Sequence, residues 1–342
     1  MNMSKIVCFG ELMLRLCPEG YLRFEQAKEF EVSFGGGEAN VAVSLAHFGM
    51  DAAFVSKFPT HAIGEMAVRS LRTENVATDK IVRGGERMGI YFIEKGASQR
   101  PSKVIYDRKY SAIGMAARED FDWEKILDGA AWFHFTGITP ALGDNVADIT
   151  LDALKVCKQK GIKVSCDLNF RKKLWSSEKA GAVMGELCRY VDICIANEED
   201  AEKVFGIRPD KNDVEGGKLN REGYIDVAKK LTDRFGFESV AITLRESISA
   251  SDNNWAAMLY ADGNAYFSKK YAVHIVDRVG GGDSFGAGLI YGLMNGYDKQ
   301  KTIEFAVAAS CLKHSIETDF NYVSVDEVTT LMNGDGSGRV QR

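Results

Sequence analysis

The sequence predicts a three-layer α/β fold: a mostly parallel central sheet covered by helices on both faces, with a small β-sheet beside it. Three observations predict this. Short apolar runs rich in β-branched and aromatic residues recur at Lys5–Gly10, Ala52–Lys57, Ala131–Thr136, Lys163–Asp167, Asp192–Ala196 and Ser239–Leu244. Segments of 3.6-residue apolar spacing lie between them, at Asn40–Phe48, Ile63–Thr73, Asn145–Lys160 and Ile225–Phe235. That alternation is the pattern of a doubly wound, Rossmann-like core, because parallel strands need helical crossovers. The third observation is a break in the alternation, confined to the first third of the chain.

Residues 12–33 read as an antiparallel excursion around Pro18, Glu19 and Gly20, and Met88–Glu94 and Lys103–Tyr110 read as two more strands joined at Lys95–Pro101. A lone sheet of that size buries too little surface to stand alone, so it is expected to form a lid or a subunit interface. The expected division is therefore a core of residues 1–11, 34–87 and 111–330, a β-sheet lid of 12–33 and 88–110, and a tail at 331–342. The polar stretch Arg208–Glu222 reads as a surface loop.

Composition bounds the function. The 342 residues, 45% hydrophobic and 27% charged, are those of an ordinary globular chain. A net charge of -5 and the lack of a basic tract argue against nucleic acid as a partner. The longest charge-free stretches, Gly129–Gly143 and Ser284–Tyr297, fall short of the ~18 residues of a membrane span. Seven cysteines without C-x-x-C or zinc spacing read as reduced, core-filling thiols, and no signal-peptide pattern opens the chain, so a cytoplasmic protein is expected. The 34 glycines, about a tenth of the chain, exceed the usual ~7% and raise the question of where they sit.

Two clusters answer it. In Asp277-Arg-Val-Gly280-Gly281-Gly282-Asp283-Ser-Phe-Gly286-Ala-Gly288, three glycines precede an apolar helical segment. Backbone there wraps closely around a ligand, and a helix start adds unpaired N–H groups and a positive dipole end, so the loop reads as an anion hole. Neither a Walker A loop nor a G-x-G-x-x-G fingerprint is present. Asp283 stands where it can take a proton from a hydroxyl attacking a phosphate held by those amides. A plain Gly-rich turn with an Asp cap would read the same way in isolation. The second cluster, Phe34-Gly35-Gly36-Gly37-Glu38-Ala39-Asn40, opens the first helix with exposed backbone and an Asn that both donates and accepts.

The combination of G-G-x-x-x-N near 40 with D-x-x-G-x-G-D near 280, in an alternating α/β chain, resembles the PfkB/ribokinase family of small-molecule kinases over essentially its whole length. The resemblance implies a ribokinase-like fold, ATP and Mg²⁺ as cofactors with a monovalent cation as an open third, Asp283 as catalytic base, and Gly280, Gly281 and Gly282 as the anion hole.

Asp167-Leu-Asn169-Phe-Arg171 follows a strand, so period-2 spacing sends Asp167, Asn169 and Arg171 to one side at its C-terminal end. On the lid lie Tyr91, Tyr106 and Arg108. Two arginines from separate elements suit a carboxylate, which a guanidinium fork matches; a solvated Asp-Arg-Lys run is the plainer reading of Arg108. With Y-x-R and D-x-N-x-R together, the chain resembles the 2-keto-3-deoxygluconate kinase branch, which phosphorylates the C6 hydroxyl of a sugar acid. That resemblance implies substrate contacts from Gly35, Gly36, Gly37, Glu38, Asn40, Tyr91, Tyr106, Arg108, Arg171 and Asp283, with a weaker one from Asp319. It implies nucleotide contacts from Asn169, Arg171, Asn197, Thr243, Arg245, Ser247, Gly280 and Gly282. The family's N-x-x-E stands here as Asn197-Glu-Glu-Asp200, which leaves Glu199 or Asp200 as the indirect Mg²⁺ carboxylate. The expected partners are a sugar acid, ATP and a second copy of the chain meeting through the lid. Rival readings are a fructokinase or other neutral-sugar kinase, and a catalytically silent sugar or nucleotide sensor.

Overall fold

The computed structural model describes residues 5–197, 199–210, 214–215, 218–219, 221–334 and 336. The expected tail falls partly outside these residues, as does part of the 208–222 loop. The central sheet runs from one edge to the other as Asn264–Phe267, Asp252–Ala261, Ser239–Ser247, Ile193–Asn197, Lys163–Asp167, Ala130–Thr136, Lys5–Phe9 and Ala52–Val55, with Tyr271–His274 also paired to Asp252–Ala261. The six strands from Ser239–Ser247 to Ala52–Val55 are parallel. Alternation along each strand splits the apolar residues between two cores. Ile6 and Cys8 join the helices Gly37–His47, Gly281–Met294 and Lys299–Lys313 on one face. Val7 and Phe9 join Asp144–Lys160, Ser177–Leu187 and Arg221–Phe235 on the other. All seven cysteines are free thiols, six of them buried.

Three antiparallel strands beyond Ser239–Ser247 escaped the sequence reading. Their signal was present in Asp262-Gly263, where both residues have positive φ (51° and 75°), the requirement of a two-residue hairpin turn.

The second sheet has four strands in the order Glu31–Gly35, Met13–Cys17, Gly89–Glu94, Lys103–Asp107. Its first hairpin is not a tight turn at Pro18–Gly20: residues 18–30 form a long connection that includes a short helix at Phe24–Gln26. One face buries Met13, Cys17, Tyr91 and Ile93 against Val104 and Val279, so the sheet packs on the glycine turn of the core. Val32 and Ile105 are exposed.

The chain passes from Lys5–Phe9 outward to Ala52–Val55 and later resumes on the opposite side at Ala130–Thr136. That reversal opens a crevice at the C-terminal strand ends, where open α/β sheets bind ligands. Helix Gly281–Met294 reaches the crevice and lies tightly on Lys299–Lys313: a Cβ on Gly288 would stand 2.8 Å from the Ala306 Cα. Replacing Gly288 with Ala should lower stability by about 1–3 kcal/mol from overpacking, despite a gain in helix propensity. Urea unfolding measures this, and a midpoint equal to or above the parent's refutes the close-packing account.

Candidate active site

Two adjoining cavities occupy the crevice. The first, about 120 Å³, lies under the small sheet and is lined by Glu11, Gly35–Gly37, Glu38, Asn40, Tyr91, Tyr106, Arg108 and Asp319. The second, about 360 Å³, runs over the strand ends past Asn197, Thr243, Arg245, Arg278, Gly280 and Gly282. Asp283, Asn169, Arg171, Tyr106 and Val279 line both. A group in one cavity therefore meets a group in the other beside Asp283.

Helix Gly281–Met294 begins there without a capping side chain, which leaves the N–H groups of its first turn directed at the junction. Gly280 precedes it with φ 82°, and a Cβ at Gly280 would collide with the Asp319 carbonyl oxygen, so only glycine fits. Asp277 accepts the Val279 N–H at 3.0 Å and holds the turn from its start. Asp283 is half-buried in the first helical turn, and its Oδ2 accepts from Asn40 Nδ2 at 2.7 Å. Burial pushes its carboxyl up to about 7; the Asn40 bond pulls it down, while Asp319 and Glu38 raise it further. A carboxyl near neutrality at a helix start can exchange a proton at working pH.

On the small-sheet side, Tyr91 donates to Asp319 Oδ1 at 2.5 Å and Arg15 Nη1 donates to the same oxygen at 2.7 Å. Arg15 Nη2 also reaches Asp277 Oδ2 at 2.5 Å. Asp319 Oδ1 is thus taken up by protein partners while Asp319 still lines the cavity, and Arg15 is almost fully buried. Arg108 lines the cavity, but its Nε and Nη2 are bound to Glu11 Oε2, the Nε bond at 2.8 Å. The guanidinium is consequently fixed in direction, with Nη1 outside that pair. Tyr106 lies beneath it, its ring centroid 5.5 Å from the Arg108 Cζ. Glu38 is buried and its Oε1 accepts from the Thr136 amide, the Thr136 hydroxyl and the Thr139 hydroxyl at 2.9, 2.8 and 2.6 Å. Burial raises its carboxyl while those bonds oppose the rise. Gly36 N donates to Asn40 Oδ1 at 3.3 Å, which orients the amide toward Asp283.

Along the second cavity, Asn169 adopts φ 39°, a conformation that Asn tolerates better than most residues, and Arg171 extends exposed between the cavities. Thr243 and Arg245 line the cavity, whereas Ser247, exposed at the far end of the same strand, lines neither. Asp200 is buried, its oxygens accept from the Phe170 and Asn197 amides at 3.2 and 3.1 Å, and it lines a further recess together with Glu199. Glu199 is exposed and shares that recess with Asn197, Lys203 and Arg245. Among the described residues no group of three or more His, Cys, Asp or Glu is arranged to hold a metal ion. Mg²⁺ would therefore be held here through phosphate oxygens and water, its usual habit, with Glu199 and Asp200 in the adjoining recess as the two candidate outer carboxylates.

A family model described as pfkB family carbohydrate kinase matches residues 3–316. The chain belongs to that family. It is 32% identical to a 2-dehydro-3-deoxygalactonokinase of Haloferax volcanii over 98% of both chains. It is 26% identical to a 2-dehydro-3-deoxygluconokinase of Thermoproteus tenax, over 93% of this chain and 90% of the relative. The crystal structure of a 2-dehydro-3-deoxygluconokinase from Thermotoga maritima superimposes with a TM-score of 0.94 at 56% identity, covering 97% of this chain and 99% of that one. The family's ribokinase-like architecture agrees with the expected fold, and the protein is a carbohydrate kinase.

Several residues at the site were not singled out from sequence: Glu11, Arg15, Thr136, Thr139, Arg278, Lys313 and His314. Arg15 carried a usable signal, a charge inside the alternating run Leu12–Cys17. His314 supports the turn, its ring packed against Gly281 and its Nδ1 bonded to the Ser310 carbonyl at 2.7 Å.

The raised Asp283 carboxyl has a stability consequence. Its folded value of about 7 lies above the ~3.9 of an unfolded chain, so the folded state gains from the proton below pH ~4 and loses that gain as pH rises through about 7. Asp283→Asn should therefore become progressively more stable relative to the parent between pH 5 and pH 8. Thermal unfolding across that range checks it, and a difference that stays flat or reverses excludes the raised carboxyl.

Proposed function

We propose that the protein phosphorylates the C6 hydroxyl of 2-keto-3-deoxygluconate (also called 2-dehydro-3-deoxygluconate) with ATP, giving 2-keto-3-deoxy-6-phosphogluconate. The observation that carries this reading is the junction of two cavities at Asp283, directly in front of an uncapped helix N-terminus. The sugar acid takes the cavity under the small sheet, which acts as a lid, and the nucleotide takes the cavity over the strand ends. Both arginines expected on the sugar side line the first cavity, which suits an anionic acceptor. The names of the Thermotoga maritima and Thermoproteus tenax relatives point the same way.

In this mechanism Asp283 receives the C6 hydroxyl proton as that oxygen bonds to the γ-phosphorus and the bond to the β-phosphate oxygen breaks. Asn40 keeps the carboxylate oriented. The first-turn amides at Gly280–Gly282 hold the charge on the transferring phosphoryl group. Because the transition state is loose, positioning and these amides outweigh the base, which contributes about 10²–10⁴-fold. Mg²⁺, when bound, supplies neutralisation of the phosphate charge. Arg108, braced by Glu11, presents Nη1 to the substrate carboxylate, and Arg171 approaches from the other side. Pairing with a second copy through the exposed face around Val32 and Ile105 belongs to the same reading.

ADP release with ATP, Mg²⁺ and a panel of sugar acids tests the assignment, fructose serving as the neutral control. Asp283→Asn should cut kcat by about 10²-fold or more while ATP still binds; near-normal turnover would sink the base. In the parent, kcat/KM should rise through about pH 7, and Asn40→Ala should move that limb upward because a donor to the carboxylate is lost. Arg108→Ala should raise KM for the keto-deoxy acid far more than for fructose. An equal effect on both favours the neutral-sugar alternative.

A further inference from the structure

The second cavity holds a charge arrangement that phosphoryl transfer at Asp283 leaves unused. Arg278 stands between Asp277, which is committed to Arg15 and the Val279 amide, and the glycine turn. Its Nη2 donates to the Ala250 carbonyl at 2.9 Å, in the connection between strands Ser239–Ser247 and Asp252–Ala261, which fixes the side chain along the cavity wall. The rest of its fork has no protein acceptor among the described residues. Arg245 ends the Thr243–Arg245 wall of the same cavity, and among the described residues neither guanidinium is ion-paired with a carboxylate. The two cations feel one another: burial and then the Arg245 charge both push Arg278 below its ordinary value. On the opposite side Arg171, exposed on the same cavity, acts on acids instead: its charge opposes the rise of the Asp167, Asp200 and Asp283 carboxyls.

Two like charges on the wall of one cavity, Arg278 half-buried and Arg245 exposed, are unfavourable in the empty protein. An anion with charges in series resolves the conflict, one end at the Gly280–Gly282 amides and the other beside Arg278 and Arg245. We infer that Arg278 and Arg245 form a two-guanidinium clamp on the polyphosphate of the nucleotide, gripping the β-phosphate that becomes the leaving group. The inference rests on the reading of this cavity as the nucleotide site. It adds Arg278 as a binding residue and gives Arg245 a specific task. When the bond between the γ-phosphorus and the bridging oxygen breaks, the electron pair stays on the β-phosphate oxygen. A fork already facing that oxygen stabilises the charge as it grows. The clamp should consequently act on kcat as well as on nucleotide affinity.

The test is calorimetric titration of adenosine, AMP and ADP into the full-length parent and Arg278→Gln, with thermal unfolding in the presence and absence of ADP. In the parent, affinity should climb from AMP to ADP. Arg278→Gln should lose about tenfold or more in ADP affinity, the worth of a charge-assisted bond, with adenosine affinity unchanged. Its nucleotide-free melting temperature should hold or rise, because a repulsive charge is gone, while the ADP-induced increase shrinks. Parent-like ADP binding overturns the clamp, and so does equal weakening of adenosine and ADP. If Arg278→Gln does not fold, Arg278→Lys serves, keeping the charge but not the fork. A partial loss confined to ADP is then expected, and parent-like ADP binding again overturns the clamp. A parent chain that neither binds ADP nor releases it with any sugar acid sinks the reading of the cavity itself, a result separate from failure of the clamp.

Discussion

The Arg15 guanidinium sits buried between the carboxylates of Asp277 and Asp319, and the rest of the site is organised around that contact. Arg15 belongs to the small sheet, Asp277 opens the glycine turn, and Asp319 lies in a late loop whose backbone supports Gly280. Lys313, buried beside them with Nζ on the Ile316 carbonyl at 3.0 Å, supplies a second positive charge against the two acids. Removing one member of such a buried set strands the others and costs about 3–5 kcal/mol, so the group holds together or fails together. Lys95 and Glu317 add a second tie at the rim, at 2.8 Å.

Because of that tie, the small sheet and the core share one site. Val279 packs into the apolar face of the sheet while the next residue, Gly280, shapes the helix start. The environment of Asp283 likewise comes from distant elements: Asn40 and Glu38 from the first long helix, Asp319 from the late loop. A carboxyl raised to about 7 is a property of that assembly and of no single segment. The same holds for Arg108, whose direction is set by Glu11 across the small sheet.

Much of the architecture was legible in the chain. The runs at Lys163–Asp167 and Asn145–Lys160 mark their strand and helix closely because the period of apolar residues is fixed by backbone geometry, 2 for a strand and 3.6 for a helix. The glycine clusters lie on the two cavities because close backbone approach needs them there. Less legible were the antiparallel strands from Asp252 to His274, whose pairing depends on hairpins at the edge of the sheet. Nor does Asn197-Glu-Glu-Asp200 show along the chain that Asp200 is buried with the amides of Phe170 and Asn197 on its oxygens while Glu199 is exposed.

The sequence by itself determined the layer architecture, the glycine-flanked helix start and the acid in its first turn, since each is written in residues adjacent along the chain. Only the tertiary structure decided which charges neutralise one another and which face open space. Arg15 and Asp319 are 304 positions apart, and nothing local in either segment names the other. Electrostatic partnership and desolvation depend on distance in space, and the fold alone sets that distance.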